Sequence, residues 1–396
     1  MSLRTLDDLG DVGGKRVFVR VDYNVPLRDG EVADDLRIRA SLPTLDELLD
    51  RGASLVLGSH LGRPKGEVRD ELRLAPVSDR LQDLLGRDVA AVSDVVGEEA
   101  VAVCSHVEPG EVVLLENLRF EPGETADDPE LADRLAGLAD AYVDDAFGAA
   151  HRSHASVHAL AERFEQRAAG RLLQREVEVL TGLLEGPEAP YVAILGGAKV
   201  SDKLGVISGL LDRVDALLIG GAMAFTFLAA DGIGVGRSLV EEDRFDDVRE
   251  AERKAADRGA LLQLPEDVVA APEVSADAPR QTVGVDAIPP DLMGLDIGPR
   301  TVEEFARTLA DARTILWNGP MGVFELEPFS AGTRGVATAV AGTRAFSVVG
   351  GGDSLLAVKR LGLEGSFDHL STGGGASLEF LEGRELPGIA VLRKEG

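Results

Sequence analysis

The chain holds a single cysteine, Cys104, so no intramolecular disulfide can form and a reducing compartment is expected. Lysine is scarce as well, confined to Lys15, Lys65, Lys199, Lys203, Lys254, Lys359 and Lys394. Aromatic residues make up only 4% of the 396 positions, so the cores must be built from Val, Leu, Ile and Ala, which suits helices packed on buried parallel strands. The opening MSLRTLDDLG lacks the apolar stretch of a signal peptide. The longest apolar run, residues 216–230, contains a Gly pair and falls short of the roughly 20 residues a spanning helix needs. A soluble, cytoplasmic chain with no membrane partner is expected. Two nucleotide motifs are missing. Gly14 and Lys15 are followed by Arg16, so no GxxxxGK[ST] phosphate loop exists, and Gly232, Gly234 and Gly236 run into RSLVEED without opening a helix after a strand. A P-loop enzyme and a dinucleotide oxidoreductase are both disfavoured.

Acid is what the chain has in excess. A formal charge of -28 and a pI near 4.6 exclude nucleic acid as a natural partner, because the protein's own field would repel it. Arginine outnumbering lysine on a densely carboxylated surface resembles halophilic proteins, in which concentrated salt screens the self-repulsion. The length exceeds what one core usually serves, so two domains are expected.

Val-rich runs recur at 16–21 (RVFVRV), 53–60 (ASLVLGSH), 112–118 (VVLLENL) and 139–146 (ADAYVDDA), and they read as buried strands. LRIRASLPTLDELLDRG and APVSDRLQDLLGRD between them place apolar residues three and four apart, as surface helices do. The pattern restarts after position 190 with YVAILGG, VDALLIGGAMAF, GALLQLPEDVV, RTILWNGPM and RAFSVVGGGD. The fold class is therefore α/β: two Rossmann-like lobes, each a mainly parallel sheet with helices on both faces, joined by a helix and a hinge. The expected division is an N-terminal lobe at 1–170, a connecting helix at 171–186, a C-terminal lobe at 187–372, and a hinge with a returning segment at 373–396.

Ligands of open α/β sheets bind beyond the carboxyl ends of the strands, and the unusual residues gather there. In the first half these are Arg20, Arg37, Arg39, His60, Arg63, Arg119, His151 and Arg152. Any one such arginine is more simply an ion-paired surface group. A cluster at successive strand ends points instead to a small, multiply anionic ligand, because guanidinium forks match phosphate and carboxylate oxygens. His151, His154 and His158 do not make a convincing metal site: no cysteine accompanies them and Arg152 would repel a cation. A helix carrying surface or capping histidines explains His154 and His158 better.

In the second half, GGAKVSDK at 196–203 follows a strand with two glycines and sets Lys199 and Lys203 four apart, a spacing that predicts one helix face and fits a polyphosphate. GGGDS at 350–354 is a glycine-rich strand exit in which Asp353 could hold Mg²⁺ beside phosphate oxygens. STGGGASLEF at 371–380 reads as a glycine loop feeding a helix.

Together, RVDYNVP (20–26), SHLGRPKG (59–66), LENLRF (115–120), DAFGAAHRSHAS (145–156), GGAKVSDK, GGAMAFTFL (220–228), WNGPMGVFE (317–325), GGGDS and STGGGASLEFLEG resemble the phosphoglycerate kinase family over nearly the whole chain. The departures are small: Tyr23 stands where Phe is usual, and Ser153 where Ala is common. The resemblance implies reversible in-line phosphoryl transfer between Mg-ATP and the carboxylate of 3-phosphoglycerate, giving 1,3-bisphosphoglycerate and ADP, with hinge-bending closure and a monomeric state. It implies that Asp22, Tyr23, Asn24, Arg37, His60, Leu61, Gly62, Arg63, Arg119, His151 and Arg152 form the 3-phosphoglycerate site, with Arg37 near the reacting carboxylate. It implies that Lys199 follows the phosphoryl group in flight and that Gly373, Gly374 and Gly375 present amides to it. Nucleotide contacts would come from Gly196, Gly197, Lys199, Lys203, Gly220, Gly221, Asn318, Pro320 (adenine face), Glu325 (ribose), Gly351, Gly352 and Ser354, with Asp353 on Mg²⁺. Another carboxylate kinase, or a non-catalytic two-lobed protein binding a phosphorylated ligand, are the alternatives.

Overall fold

A computed structural model describes residues 2–394, which divide into two compact units. The first takes the chain up to Glu178 and again from Glu385, and the second spans Val179–Arg384.

The first unit is built on a six-stranded parallel sheet in the order Val89–Ala91, Val112–Leu114, Ser54–Gly58, Arg16–Arg20, Ala141–Asp144, Arg167–Ala169. Val17, Val19, Leu55, Leu57, Leu114 and Val143 are all but inaccessible, as strands covered on both faces require. Leu36–Asp50 buries Ile38, Leu45 and Leu48, and Ala75–Leu85 buries Val77 and Leu81. The latter helix starts with Pro near its N-terminus and stops at Gly86, whose φ of 63° is the left-handed cap that lets the chain turn away. The register sets Arg20 level with Gly58 on one side and Asp144 on the other. Residues leaving these strands therefore emerge along one edge.

The last described residues lie on this unit: the Arg4 amide donates to Leu392 O at 2.8 Å, Arg167 Nε to Val391 O at 2.9 Å, and the Gly388 amide to Ala150 O at 2.9 Å. Residues 373–384 group with the second unit. There the helix Gly375–Leu381 meets Leu204–Leu211 so closely that a Cβ on Gly209 would lie 3.0 Å from Leu381 O.

The second unit repeats the plan with a parallel sheet ordered Leu261–Gln263, Ala216–Ile219, Tyr191–Leu195, Thr314–Asn318, Phe346–Gly350, His369–Leu370. Its core holds Ile194, Leu218, Ile315, Val349 and Phe305 around Trp317, whose indole N–H donates to Gly319 O at 2.8 Å. Asn318 stands level with Leu195 and Gly350, so three strand exits again share an edge.

One expectation needs correcting here. GALLQLPEDVV is two strands, not one: Leu261–Gln263 joins the parallel sheet, whereas Asp267–Ala271 is the centre of a separate antiparallel sheet with Gln281–Gly284 and Met293–Ile297. Pro265 separates the two pieces, since it cannot donate to a ladder.

Candidate active site

Beyond the carboxyl edge of the first sheet, the basic residues converge. His60 follows the Ser54–Gly58 strand and is buried; burial, then the charges of Arg20, Arg119, Arg37 and His154, hold it well below the ordinary imidazole value. Arg119 is pushed down to about 10, by burial first and then by Arg20 and Arg152. His154 falls to about 3 through burial and the charges of Arg119, Arg20, Arg152 and His151. The guanidinium groups of Arg20, Arg37, Arg119 and Arg152, close enough to keep the two rings neutral, make a positive pocket that attracts an anion.

The loops that carry these groups are pinned from below. Arg37 Nη1 donates to Asp22 at 3.0 Å and to Asn24 O at 3.2 Å. Asn24 Oδ1 accepts the Gly62 amide at 2.9 Å, and Arg119 Nη1 donates to Gly62 O at 2.8 Å. Arg63 and Arg152 are exposed. Tyr23 and Leu61 are buried: the Tyr23 hydroxyl lies 2.9 Å from Ser41 Oγ, and the Leu61 amide donates to Asn117 Oδ1 at 3.2 Å. Their side chains hold the loops in place. His151 and His158 lie in turns and His154 in the irregular stretch between them, none in a helix, and His158 Nδ1 is 2.8 Å from Asp127, which fixes the second turn.

Three residues here escaped sequence reading as parts of the site's frame. Asn117 accepts the Leu61 and Arg119 amides and donates to Leu61 O and Leu72 O, tying two strand exits together. Glu124 and Ser156, both wholly buried, lie beneath Arg20. The signal for Arg20 was a charged residue closing an apolar strand; EPGET gave none for Glu124, because it reads as a surface turn.

In the second unit, Lys199 and Lys203 do not share a helix face. The helix Leu204–Leu211 starts just after them, and both lie in the loop that the two glycines initiate. Lys199 is exposed, while Lys203 is nearly buried and donates to Asn318 Oδ1. Burial lowers the Lys203 ammonium from its ordinary value, partly offset by Asp202 and Asp353. Burial pushes the Glu241 carboxyl up, but hydrogen bonds from Ser201 Oγ at 2.6 Å and Ser201 N at 3.1 Å, with the Lys199 charge, bring it below its ordinary value. Glu241 thereby anchors the Lys199 loop.

The glycines let strand exits interlock. Gly197 (φ 113°) donates to Pro320 O at 3.0 Å, and Gly221 (φ 66°) donates to Met321 O at 3.1 Å. A Cβ on Gly221 would lie 2.5 Å from Gly197 N, so no side chain fits. The Gly196 and Gly220 amides are likewise spent, on Asn318 O and Leu195 O. Ser354 Oγ accepts the Gly319 amide at 2.7 Å, and the Gly373 amide donates to Ser371 Oγ at 3.3 Å. Gly351 and Gly352 lead into Gly352–Arg360, with Gly351 at φ 90° beside the Asn318 amide group. Gly374 and Gly375 start Gly375–Leu381.

These exits wall a cavity of about 360 Å³ bounded by Gly197, Gly221, Pro320, Glu325 and Asp353, with Met293 and Leu295 on its apolar side. Apolar walls with polar groups at one end suit a base and ribose with a phosphate tail. Asp296, also in the lining, is 4% exposed; burial raises its carboxyl to about 7 despite the amides of Gly332 and Ile297 donating at 2.7 and 3.0 Å. Among the described residues no three His, Cys, Asp or Glu groups gather as a metal cage. Mg²⁺ commonly uses one or two carboxylates plus phosphate oxygens, and Asp353 at the cavity wall fits that requirement.

Two parallel-sheet units, one with a cationic anion trap and the other with a glycine-walled cavity, define the class as an α/β phosphotransferase. The comparisons with known proteins agree. The family model for phosphoglycerate kinase matches residues 6–384. A phosphoglycerate kinase of Thermomicrobium roseum is 57% identical over 393 residues, covering 99% of this chain and all of the relative. That of Moorella thermoacetica is 55% identical over 395 residues, covering both chains in full. The solved phosphoglycerate kinase of Coxiella burnetii superposes with a TM-score of 0.88 at 42% identity, and that of Pyrococcus horikoshii with 0.87 at 35%, each covering 98% of both chains. The chain belongs to the phosphoglycerate kinase family, and its activity is that of this glycolytic kinase.

Proposed function

We infer that the chain binds 3-phosphoglycerate in the basic trap of its first unit and Mg-ATP in the cavity of its second, and moves the γ-phosphoryl group reversibly onto the substrate carboxylate. The observation that carries this reading is the gathering of the Arg20, Arg37, Arg119 and Arg152 guanidinium groups around His60 and His154, rings that burial and those charges hold in the neutral form, so that like charges are kept together against their own repulsion. A multiply charged anion removes that repulsion on binding.

The chemistry asks for positioning and charge neutralisation rather than a general base, because a carboxylate nucleophile is already deprotonated. His60, Arg63, Arg119, His151 and Arg152 hold the substrate, with Asp22 and Asn24 orienting the loop and Arg37 next to the carboxylate. Lys203 and Asn318 hold the nucleotide phosphates, Pro320 and Glu325 the base and ribose. Lys199, on its short anchored loop, follows the charge of the transferring group, with Gly373, Gly374 and Gly375 alongside. Asp353 would hold Mg²⁺, which when bound neutralises phosphate charge and orients the β and γ groups. Hinge-bending closure would exclude water, the competing acceptor. The acidic composition supports a cytoplasm rich in salt, and among the described residues no helix is long and apolar enough to cross a membrane.

The test is an assay of the purified protein in molar KCl with Mg-ATP and 3-phosphoglycerate, coupled to consumption of the acyl phosphate. ATP-dependent turnover is expected. Turnover with acetate or aspartate in place of 3-phosphoglycerate, and none with 3-phosphoglycerate, would overturn the substrate assignment.

A further inference from the structure

A carboxylate beneath a cradle for anions opposes binding by its charge, so the presence of Glu124 there calls for a physical reason. It is wholly buried, as are Arg20 and Ser156. Its two oxygens clasp Ser156: Oε1 accepts the hydroxyl at 2.6 Å and Oε2 the amide at 3.0 Å. The Ala155 amide donates to Glu124 O at 2.9 Å, and the Tyr142 hydroxyl donates to Ser156 O at 2.9 Å. Ser156 therefore has no freedom to turn. Its hydroxyl oxygen in turn accepts Arg20 Nε at 2.7 Å, while Arg20 Nη1 donates to Val21 O. That leaves Arg20 Nη2, which lies 3.2 Å from His60 Nδ1.

A guanidinium can only donate, so His60 Nδ1 must accept and cannot carry the ring proton. We propose that Glu124, acting through Ser156 and Arg20, is a positioning residue that fixes His60 in the tautomer protonated on Nε2, making Nε2–H the ring's donor toward an anion. A ring proton on Nδ1 would point at a cation. Asp22, whose Oδ1 is 4.0 Å from Nδ1, lies too far to compete as a hydrogen-bond acceptor. The other groups acting on the ring, Arg37, Arg119 and His154, add positive charge or none, and so favour the neutral form. Glu124 also lies 3.9 Å from Arg20 Nη2 and 3.7 Å from His154 Nδ1, which balances the buried guanidinium within the cradle.

The inference rests on the reading of this cradle as the 3-phosphoglycerate site, and its test separates the two. Nitrogen NMR of the full chain at neutral pH, free of ligand, reads the His60 tautomer directly. Unprotonated Nδ1 and protonated Nε2 are expected; protonated Nδ1 overturns the proposal whatever the substrate is. In Ser156→Ala, which breaks the relay and keeps the Glu124 charge, His60 should populate both tautomers. The Kd for 3-phosphoglycerate should then weaken about tenfold, with kcat and the Kd for ATP unchanged. In Glu124→Gln the same tautomer mixing is expected, although loss of the carboxylate charge alone would tighten anion binding. A single Nε2–H tautomer persisting in both variants sinks the relay. Failure of the native protein to bind 3-phosphoglycerate in calorimetry sinks the site reading and leaves the tautomer result standing.

Discussion

The Asp145 carboxylate accepts the main-chain amide of Leu172 at 2.9 Å, and that of Leu173 at 3.2 Å from the same oxygen. Asp145 leaves the Ala141–Asp144 strand, and Leu172 and Leu173 lie in the first turn of Arg171–Glu185, the helix along which the chain passes from the first unit to the second. A buried acid thus closes the start of the connecting helix, where amides have no partner within the helix. Gly170 makes room for it, since a Cβ there would collide with the Asp145 side chain. Asp145→Ala should cost about 1–3 kcal/mol by leaving these amides buried without an acceptor, read as a lower urea midpoint. An unchanged midpoint would show that solvent satisfies them.

Asp296 sets a pH dependence. Burial raises its folded carboxyl from the ordinary 3.8 to about 7, so between those values the folded chain binds more protons than the unfolded one. Stability from this group is full below about 4 and is lost as pH rises through about 7. The stability deficit of Asp296→Asn, measured by urea unfolding, should therefore be larger at pH 5 than at pH 8. A deficit that grew with pH would reverse the assignment.

Cys104 is fully buried in Glu98–His106, and burial raises its thiol to about 11. At pH 8 almost none is thiolate, the reactive form. An aromatic disulfide reagent should label the native protein only at its unfolding rate, and immediately in urea. Fast labelling of the native state would show that the helix opens locally.

Much of the fold was legible because strands buried on both faces read as continuous apolar runs, as in RVFVR and YVAIL. The antiparallel sheet was not, because QTVG and MGLDI are short and mix small, polar and apolar residues, leaving no period to follow. Lys199 and Lys203 were visible as a pair, but spacing could not show that the helix begins only after Lys203. Hydrogen bonds between distant segments were invisible: Glu124 and Ser156 are 32 positions apart, and nothing local distinguishes a buried Glu from a solvated one.

Salt should stabilise the native chain. With a net charge of -28, its carboxylates repel across the surface, and the Debye length shrinks from about 10 Å at 0.1 M to about 3 Å at 1 M. Tm in scanning calorimetry is expected to climb from low to molar KCl. A steady fall over that range would mean that ion pairs such as Arg80–Asp35 at 2.6 Å outweigh the repulsion.

Lys199 and Arg63 are both exposed cations, and the proposed reaction asks different things of them. On the proposed reading, Arg63 meets a charge already present in the bound substrate, so its contribution would appear in the ground state. Lys199, on the same reading, meets charge that moves during transfer, an interaction realised in the transition state. Arg63→Ala should therefore raise KM for 3-phosphoglycerate about tenfold with little change in kcat or ATP affinity. Lys199→Ala should lower kcat by ~10³-fold while nucleotide affinity changes far less. Steady-state kinetics with calorimetry for each ligand resolves the two. An unchanged kcat in Lys199→Ala removes that lysine from the mechanism, and an Arg63→Ala variant impaired in ATP binding alone would reverse which unit holds which substrate.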